Sequence, residues 1–208
     1  GALAVVGGVE RELRHPEDPV HGRADLVADR RQELALGGIS CLEGGLSVGD
    51  APLLVKGAKP LRDSLIITGS TRKSVDQTWT QPWGEVARVR DNHNELRVSV
   101  AERFPPSRRF DVTFRVFNDG IGFRYEFPEQ ANLRDFVIME ELTQFSMADN
   151  ARSWWIPSNR PRLDRSEMLY SSSPVSVMDS VQTPITMETV DGRTVVVLHE
   201  ANLNDYAR

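Results

Sequence analysis

At 208 residues and 39% apolar content the chain can build one sizeable domain with a real core, and a formal net charge of -5 argues against a dedicated nucleic-acid binder, which needs a basic surface to neutralise phosphates. The pairs Arg30-Arg31 and Arg108-Arg109 read as solvated loop charges rather than a phosphate-binding patch. The single cysteine, Cys41, cannot close an internal disulfide, and no apolar run approaches the ~20 residues that span a bilayer, so no membrane partner is expected.

In chain order, Gly1-Ala2-Leu3-Ala4-Val5-Val6-Gly7-Gly8 has the small and apolar residues of a trimmed secretory leader but no basic segment before them. Residues 10–38 are crowded with Arg, Asp, Glu, Pro and His, and only residues 24–36 read as a short helix. From Leu65 onward the apolar period becomes two, as it must when alternate side chains of a pleated strand face opposite sides. Leu96, Val98 and Val100 alternate with Arg97 and Ser99, while Phe110, Val112, Phe114 and Val116 alternate with Asp111, Thr113 and Arg115. Asn118-Asp119-Gly120 supplies positive-φ turn residues that close a hairpin onto Phe123, Tyr125 and Phe127.

Residues 137–147 read as a further strand broken at Glu140-Glu141, and residues 157–164 and Ser171-Ser172-Ser173-Pro174 as long loops. A second hairpin runs from residues 184–190 through Asp191-Gly192 into residues 194–200. Many short strands, frequent turn signals and almost no helical period predict an all-β, antiparallel sandwich, taken as one domain over residues 1–208.

Trp79 and Trp83 flank Pro82 and precede Gly84-Glu85, a loop that offers either an aromatic platform for a sugar ring or an apolar contact at a domain interface. Trp154 and Trp155 are adjacent strand residues, only one of which can enter the core. Arg124 and Glu126 share a strand face and read as a structural ion pair. Glu140 and Glu141 diverge as strand neighbours and do not make the facing acid and base of a glycosidase.

The motifs Ser74-Val75-Asp76-Gln77-Thr78-Trp79, Gln81-Pro82-Trp83-Gly84-Glu85, Asn94-Glu95-Leu96, Phe114-Arg115-Val116, Phe123-Arg124-Tyr125-Glu126, Trp154-Trp155, Thr183-Pro184 and His199-Glu200-Ala201 occur in one order. Together, over residues 64–206, they resemble the amino-terminal domain of glycoside hydrolase family 97. Residues 1–60 match the family poorly, and residues 10–38 contain nothing like its usual first strands. The resemblance implies a galactose-mutarotase-like antiparallel β-super-sandwich with few helices, packed on a catalytic (β/α)8 barrel of the same polypeptide that is absent from this chain. It also implies a bacterial, calcium-dependent, exo-acting α-glycosidase, periplasmic or secreted, that takes oligosaccharides as α-glucosides or α-galactosides.

In such an enzyme the catalytic carboxylates sit on the barrel, no catalytic residue is expected in this chain, and the chain alone is expected to be inactive. The resemblance assigns Glu200 to the calcium ion. Trp79, Trp83, Glu85, Asp205 and Tyr206 are candidates for contact with substrate or with the domain interface. His199 is structural in this reading, since it faces away from Glu200.

Two other readings compete. A free-standing carbohydrate-binding β-sandwich would use Trp79, Trp83 or Trp155 as its platform. A mutarotase-like enzyme would need a histidine and a carboxylate converging on the anomeric centre, and the four histidines show no evident pairing in the sequence.

Overall fold

The computed structural model describes residues 3–10, 39–41, 46–48, 53–61, 64–134, 136–141, 143–158 and 168–201; within it, residues 3–10, 39–41, 46–48, 53–54 and Glu140 are described by their backbone. The helix expected over residues 24–36, most of the loop expected over 157–164, and the candidates Asp205 and Tyr206 lie outside the described residues.

The strands in chain order are β1 (Leu3–Glu10), β2 (Ile39–Cys41), β3 (Leu46–Val48), β4 (Leu53–Val55), β5 (Leu65–Thr80), β6 (Arg88–Glu102) and β7 (Arg109–Val116). They continue as β8 (Gly120–Glu126), β9 (Ile138–Glu141), β10 (Phe145–Ser146), β11 (Arg152–Pro157), β12 (Ser171–Pro174), β13 (Val181–Glu188) and β14 (Thr194–Ala201). Nine of them form one sheet in the order β12-β11-β13-β14-β1-β8-β7-β6-β5; β10-β3-β2 and β4-β9 form two small sheets. Every pairing is antiparallel, so the fold is the expected all-β sandwich. Among the described residues no helix is long and apolar enough to cross a membrane.

The core follows from the alternation. Leu96 lies opposite Phe114, Val98 opposite Val112 and Val100 opposite Phe110, and β8 continues the row with Phe123 opposite Phe114 and Tyr125 opposite Val112. All of these side chains are buried on one face, where Val55, Leu61, Leu133 and half-buried Phe136, Ile138, Phe145 and Met147 pack against them. Each buried side chain of this size is worth about 1.5–3 kcal/mol of transfer from water. The other face of β6–β8 carries the polar partners of the alternation, Arg97, Asp111, Thr113, Arg115, Arg124 and Glu126.

Several expectations need correcting. The β7–β8 hairpin closes with the Phe117 N–H donating to the Gly120 carbonyl at 2.8 Å and with no left-handed residue, because Asn118, Asp119 and Gly120 all keep negative φ. The Asp191-Gly192 turn does use one: Gly192 has φ +66°, and its N–H donates to the Thr189 carbonyl at 2.8 Å. The strand expected over 137–147 is two strands in different sheets, β9 pairing with β4 and β10 with β3, and the break follows Glu141. Ser171–Pro174 is a strand paired with β11 rather than a loop, since hydroxyl side chains leave the backbone ladder free to form. Arg108 is 1% exposed instead of solvated, because Glu102 meets it across the β6–β7 turn with three hydrogen bonds of 2.6–2.9 Å.

Candidate functional site

Glu200 stands near the end of β14, opposite Ala4 of β1, with its side chain exposed. Among the described residues it has no hydrogen-bond or ion-pair partner, and no group of three or more His, Cys, Asp or Glu is gathered to hold a metal. His199 is also exposed; as strand neighbours the two point to opposite faces.

Trp79, Trp83 and Glu85 sit elsewhere. β5 and β6 pair over their whole lengths, from Leu65 opposite Glu102 to Thr80 opposite Arg88, but β7 accompanies β6 only from Asn94 to Ala101. The outer part of the hairpin is therefore a two-stranded arm beyond the body of the sheet. Trp79 is 49% and Trp83 82% exposed, at and beyond the end of β5, and Glu85 is exposed in the connecting loop. Gly84, at φ +112°, makes that loop possible: a Cβ there would come within 2.8 Å of Gln81 Nε2, which itself donates to the Val86 carbonyl at 2.6 Å.

β14 and β5 are five steps apart in the sheet, roughly 24 Å at about 4.8 Å per step, so Glu200 and the tryptophans are not parts of one site within this domain. Trp154 does not present an open platform either, because the Arg152 guanidinium lies 5.2 Å from its ring centroid; Trp155 spends its indole N–H on Ser173 Oγ at 3.0 Å.

At the root of the arm lies a cluster the sequence reading missed. Asp91, His93 and Glu95 alternate on one face of β6. His93 Nδ1 is 2.6 Å from Asp91 Oδ1, its ring packs 5.1 Å from that of Phe117, and its Nε2 is buried without a hydrogen-bond partner, 3.9 Å from Glu95 Oε2. A hydrogen bond from Gln77 holds the Asp91 carboxyl below the usual carboxylate range, against opposing burial and with help from His93. Burial pushes Glu95 up, but Lys73 at 2.9 Å and Arg115 at 2.9 Å outweigh it and hold that carboxyl down as well.

A histidine paired with a carboxylate thus exists, contrary to the reading of unpaired histidines. It does not serve a mutarotase-like reaction, because the imidazole is sealed at 1% side-chain exposure and no sugar reaches it. The i, i+2, i+4 spacing Asp91, His93, Glu95 on a strand was the signal available in the sequence. Further along the same face Arg97 bonds Asp111 at 2.7 Å and pairs with Glu126 at 3.1 Å, and Arg124 donates to Glu126 at 2.6 Å, the structural pair expected there.

The family described as Glycosyl-hydrolase 97 N-terminal matches residues 45–208. A glycoside hydrolase family 97 enzyme from Pseudoalteromonas sp. strain K8, solved in complex with panose, is 37% identical with a TM-score of 0.72, over 77% of this chain and 24% of that chain. The acarbose complex of a family 97 enzyme from the same strain gives the same identity, TM-score and coverage. A β-arabinopyranosidase at 15% identity and TM-score 0.59, matched over 74% of this chain and 32% of that chain, shares the fold alone. This chain spans about a quarter of the length of the family 97 enzymes it matches. With the family matched over most of its length and this identity to an enzyme of the family, the chain belongs to glycoside hydrolase family 97, as the family's N-terminal domain.

Proposed function

We propose that the domain serves a longer, calcium-dependent, exo-acting α-glycosidase that hydrolyses α-glucosides or α-galactosides, packs there on a catalytic (β/α)8 barrel of the same polypeptide, and lends Glu200 to a calcium site. The observation that carries the reading is the 37% identity to an enzyme solved with panose and with acarbose, over most of this chain and a quarter of that one. An exported location, periplasmic or secreted, goes with an enzyme that works on oligosaccharides outside the cell.

The donor chemistry fits. Calcium takes 6–8 hard oxygen ligands, usually from several segments. A lone, exposed carboxylate with no partner, at the end of a strand, suits a shared site and is insufficient for a site of its own. Bound calcium would orient sugar hydroxyls and stabilise negative charge as it develops. Within this domain Glu200 supplies an oxygen and the β14 ladder fixes its position. Hydrolysis needs two carboxylates flanking the scissile bond, so the domain alone is inactive in this reading.

The test is calcium calorimetry together with activity on p-nitrophenyl α-glucoside and α-galactoside, for this chain, for the longer protein, and for its Glu200→Gln variant. The longer protein is expected to bind calcium and hydrolyse, this chain to do neither, and Glu200→Gln to weaken calcium binding by roughly tenfold or more, since calcium affinity follows the charge count of its ligands. Oligosaccharide binding by this chain without calcium, with no effect of Glu200→Gln, would replace the reading with a free-standing carbohydrate-binding module.

A further inference from the structure

The arm formed by β5 and β6 gathers its exposed apolar side chains at its tip. Along its outer part, where β7 no longer accompanies β6, the exposed side chains Asp76, Gln77, Thr78, Arg88, Arg90 and Asn92 are polar, and Val75 and Val89 are half-buried. At the tip Trp79, Trp83 and Val86 are 49%, 82% and 55% exposed within eight residues. None of them belongs to the core cluster. A two-stranded ribbon in water is marginal by itself, and large apolar surface gathered at its end marks a contact.

The arm is stiffened toward its tip. Arg90 donates two hydrogen bonds to Asp76 at 2.7 and 2.8 Å, Gln77 donates to Asp91 at 3.0 Å, and Ser74 donates to Asn94 at 2.8 Å across the strands. The tip is thereby held in one shape before it meets a partner, which lowers the entropy cost of docking.

Three polar side chains of the arm are engaged internally, Gln81 on the Val86 carbonyl, Gln77 on Asp91 and Asp76 on Arg90, which leaves the exposed Thr78, Thr80 and Glu85 as the groups that could hydrogen-bond a sugar ring. A protein recess needs only the indole and its shape. The family 97 enzymes that this chain matches have most of their length outside the matched part, and in an enzyme of that length the remainder could offer such a surface.

We infer that the β5–β6 arm is an interdomain clamp whose Trp83, with Trp79 and Val86, seats in an apolar recess of the remainder of the longer polypeptide. This rests on the reading that the domain works within a longer enzyme, but not on that enzyme's substrate or metal.

Hydroxyl-radical footprinting of the longer protein and of this chain reads the accessibility of Trp83 directly, with Tyr170, 63% exposed and distant in sequence, as a second reporter. Trp83 oxidation is expected to slow about fivefold or more in the longer protein, in step with loss of most of its 82% exposure. Trp83→Ala, which removes nothing from the domain's own core, is expected to return Trp79 toward its rate in this chain. Equal Trp83 rates in the two proteins overturn the inference. So does slowing that requires added maltotriose, which would make the tip a sugar subsite, or slowing that follows protein concentration, which would make it a contact between copies. Protection of Trp83 in a protein without α-glycosidase activity leaves the clamp standing and removes the function proposed above; an active enzyme with an unprotected Trp83 does the reverse.

Discussion

Arg108 and Arg90 each hold a carboxylate, and burial separates what the two pairs are worth. Side-chain exposure is 2% and 10% for Arg108 and Glu102, against 65% and 54% for Arg90 and Asp76. Removing one partner of a buried pair strands the other charge, so Arg108→Ala is expected to cost about 3–5 kcal/mol in urea unfolding at neutral pH, while Arg90→Ala leaves the midpoint almost unmoved. Burial pushes the Glu102 carboxyl up, but the Arg108 hydrogen bonds and charge outweigh it and hold it below its ordinary 4.5. A depressed folded value gives stability that is present above 4.5 and lost as pH falls through the folded value. In Arg108→Ala the side-chain bonds and the guanidinium charge are lost while burial, the backbone N–H bond and Lys59 remain, so the carboxyl is held down less and the deficit relative to the parent is expected to shrink as pH falls through the carboxylate range. A deficit that does not depend on pH would mean that Glu102 titrates alike in the two folded proteins, so that Arg108 is not what holds its carboxyl down. The sequence showed Arg108-Arg109 as an undifferentiated pair, because nothing local says which neighbour turns inward; the deciding partner, Glu102, lies across the turn.

Hairpins were legible wherever one face is apolar and the turn has its own chemistry. β6, β7 and β8 announced themselves through Leu96, Phe114 and Phe123, and the β13–β14 turn through Asp191-Gly192. The full length of β5 was not legible, since Thr71, Arg72, Lys73 and Ser74 face solvent on both sides and leave no period to read. β12 was hidden for the same reason: its serines pair through backbone alone. Two glycines separate strain from clash. A Cβ at Gly192 would meet only Glu188 Oε1 at an ordinary 3.9 Å, so Gly192→Ala is expected to cost about 1–2 kcal/mol through its left-handed φ alone, read as a lower urea midpoint. Gly84→Ala adds a contact of 2.8 Å with Gln81 Nε2 and must dislodge that side chain from the Val86 carbonyl. Because the arm tip makes no core contact, Gly84→Ala is expected to speed amide exchange at residues 81–87 with little change in the global midpoint.

Across the whole molecule the chain order conceals what lies near what. β14 and β1 enter the middle of the large sheet while β5 takes its edge, so Glu200 and Trp83, both singled out from sequence, stand at separate places, and only the topology could tell this. The core face joins the smaller sheets through polar as well as apolar contacts: Thr143 donates to Glu141 at 2.6 Å and accepts from the Tyr125 hydroxyl at 3.1 Å. Burial pushes that phenol above its ordinary value, which favours the neutral hydroxyl that donates to Thr143. The opposite face is a lattice in which carboxylates lie beneath guanidiniums, with Glu95 at 11% and Asp111 at 12% side-chain exposure under Arg115 and Arg97. Asp91, Glu95 and Glu102 are all held below their ordinary values of 3.8, 4.5 and 4.5. Each contributes stability that is complete above those ordinary values and is lost as pH falls through the lower folded ones, since the unfolded chain then binds more protons than the folded one. Urea midpoints are therefore expected to be flat from pH 7 to about 5 and to fall steeply below about 4. Glu95→Gln, which keeps the shape and removes the charge, is expected to soften that fall while lowering the midpoint at pH 7. A variant whose acid limb coincides with that of the parent would show that Lys73 and Arg115 do not hold Glu95 in its charged form, and that the outer face derives its order from packing rather than from its ion pairs.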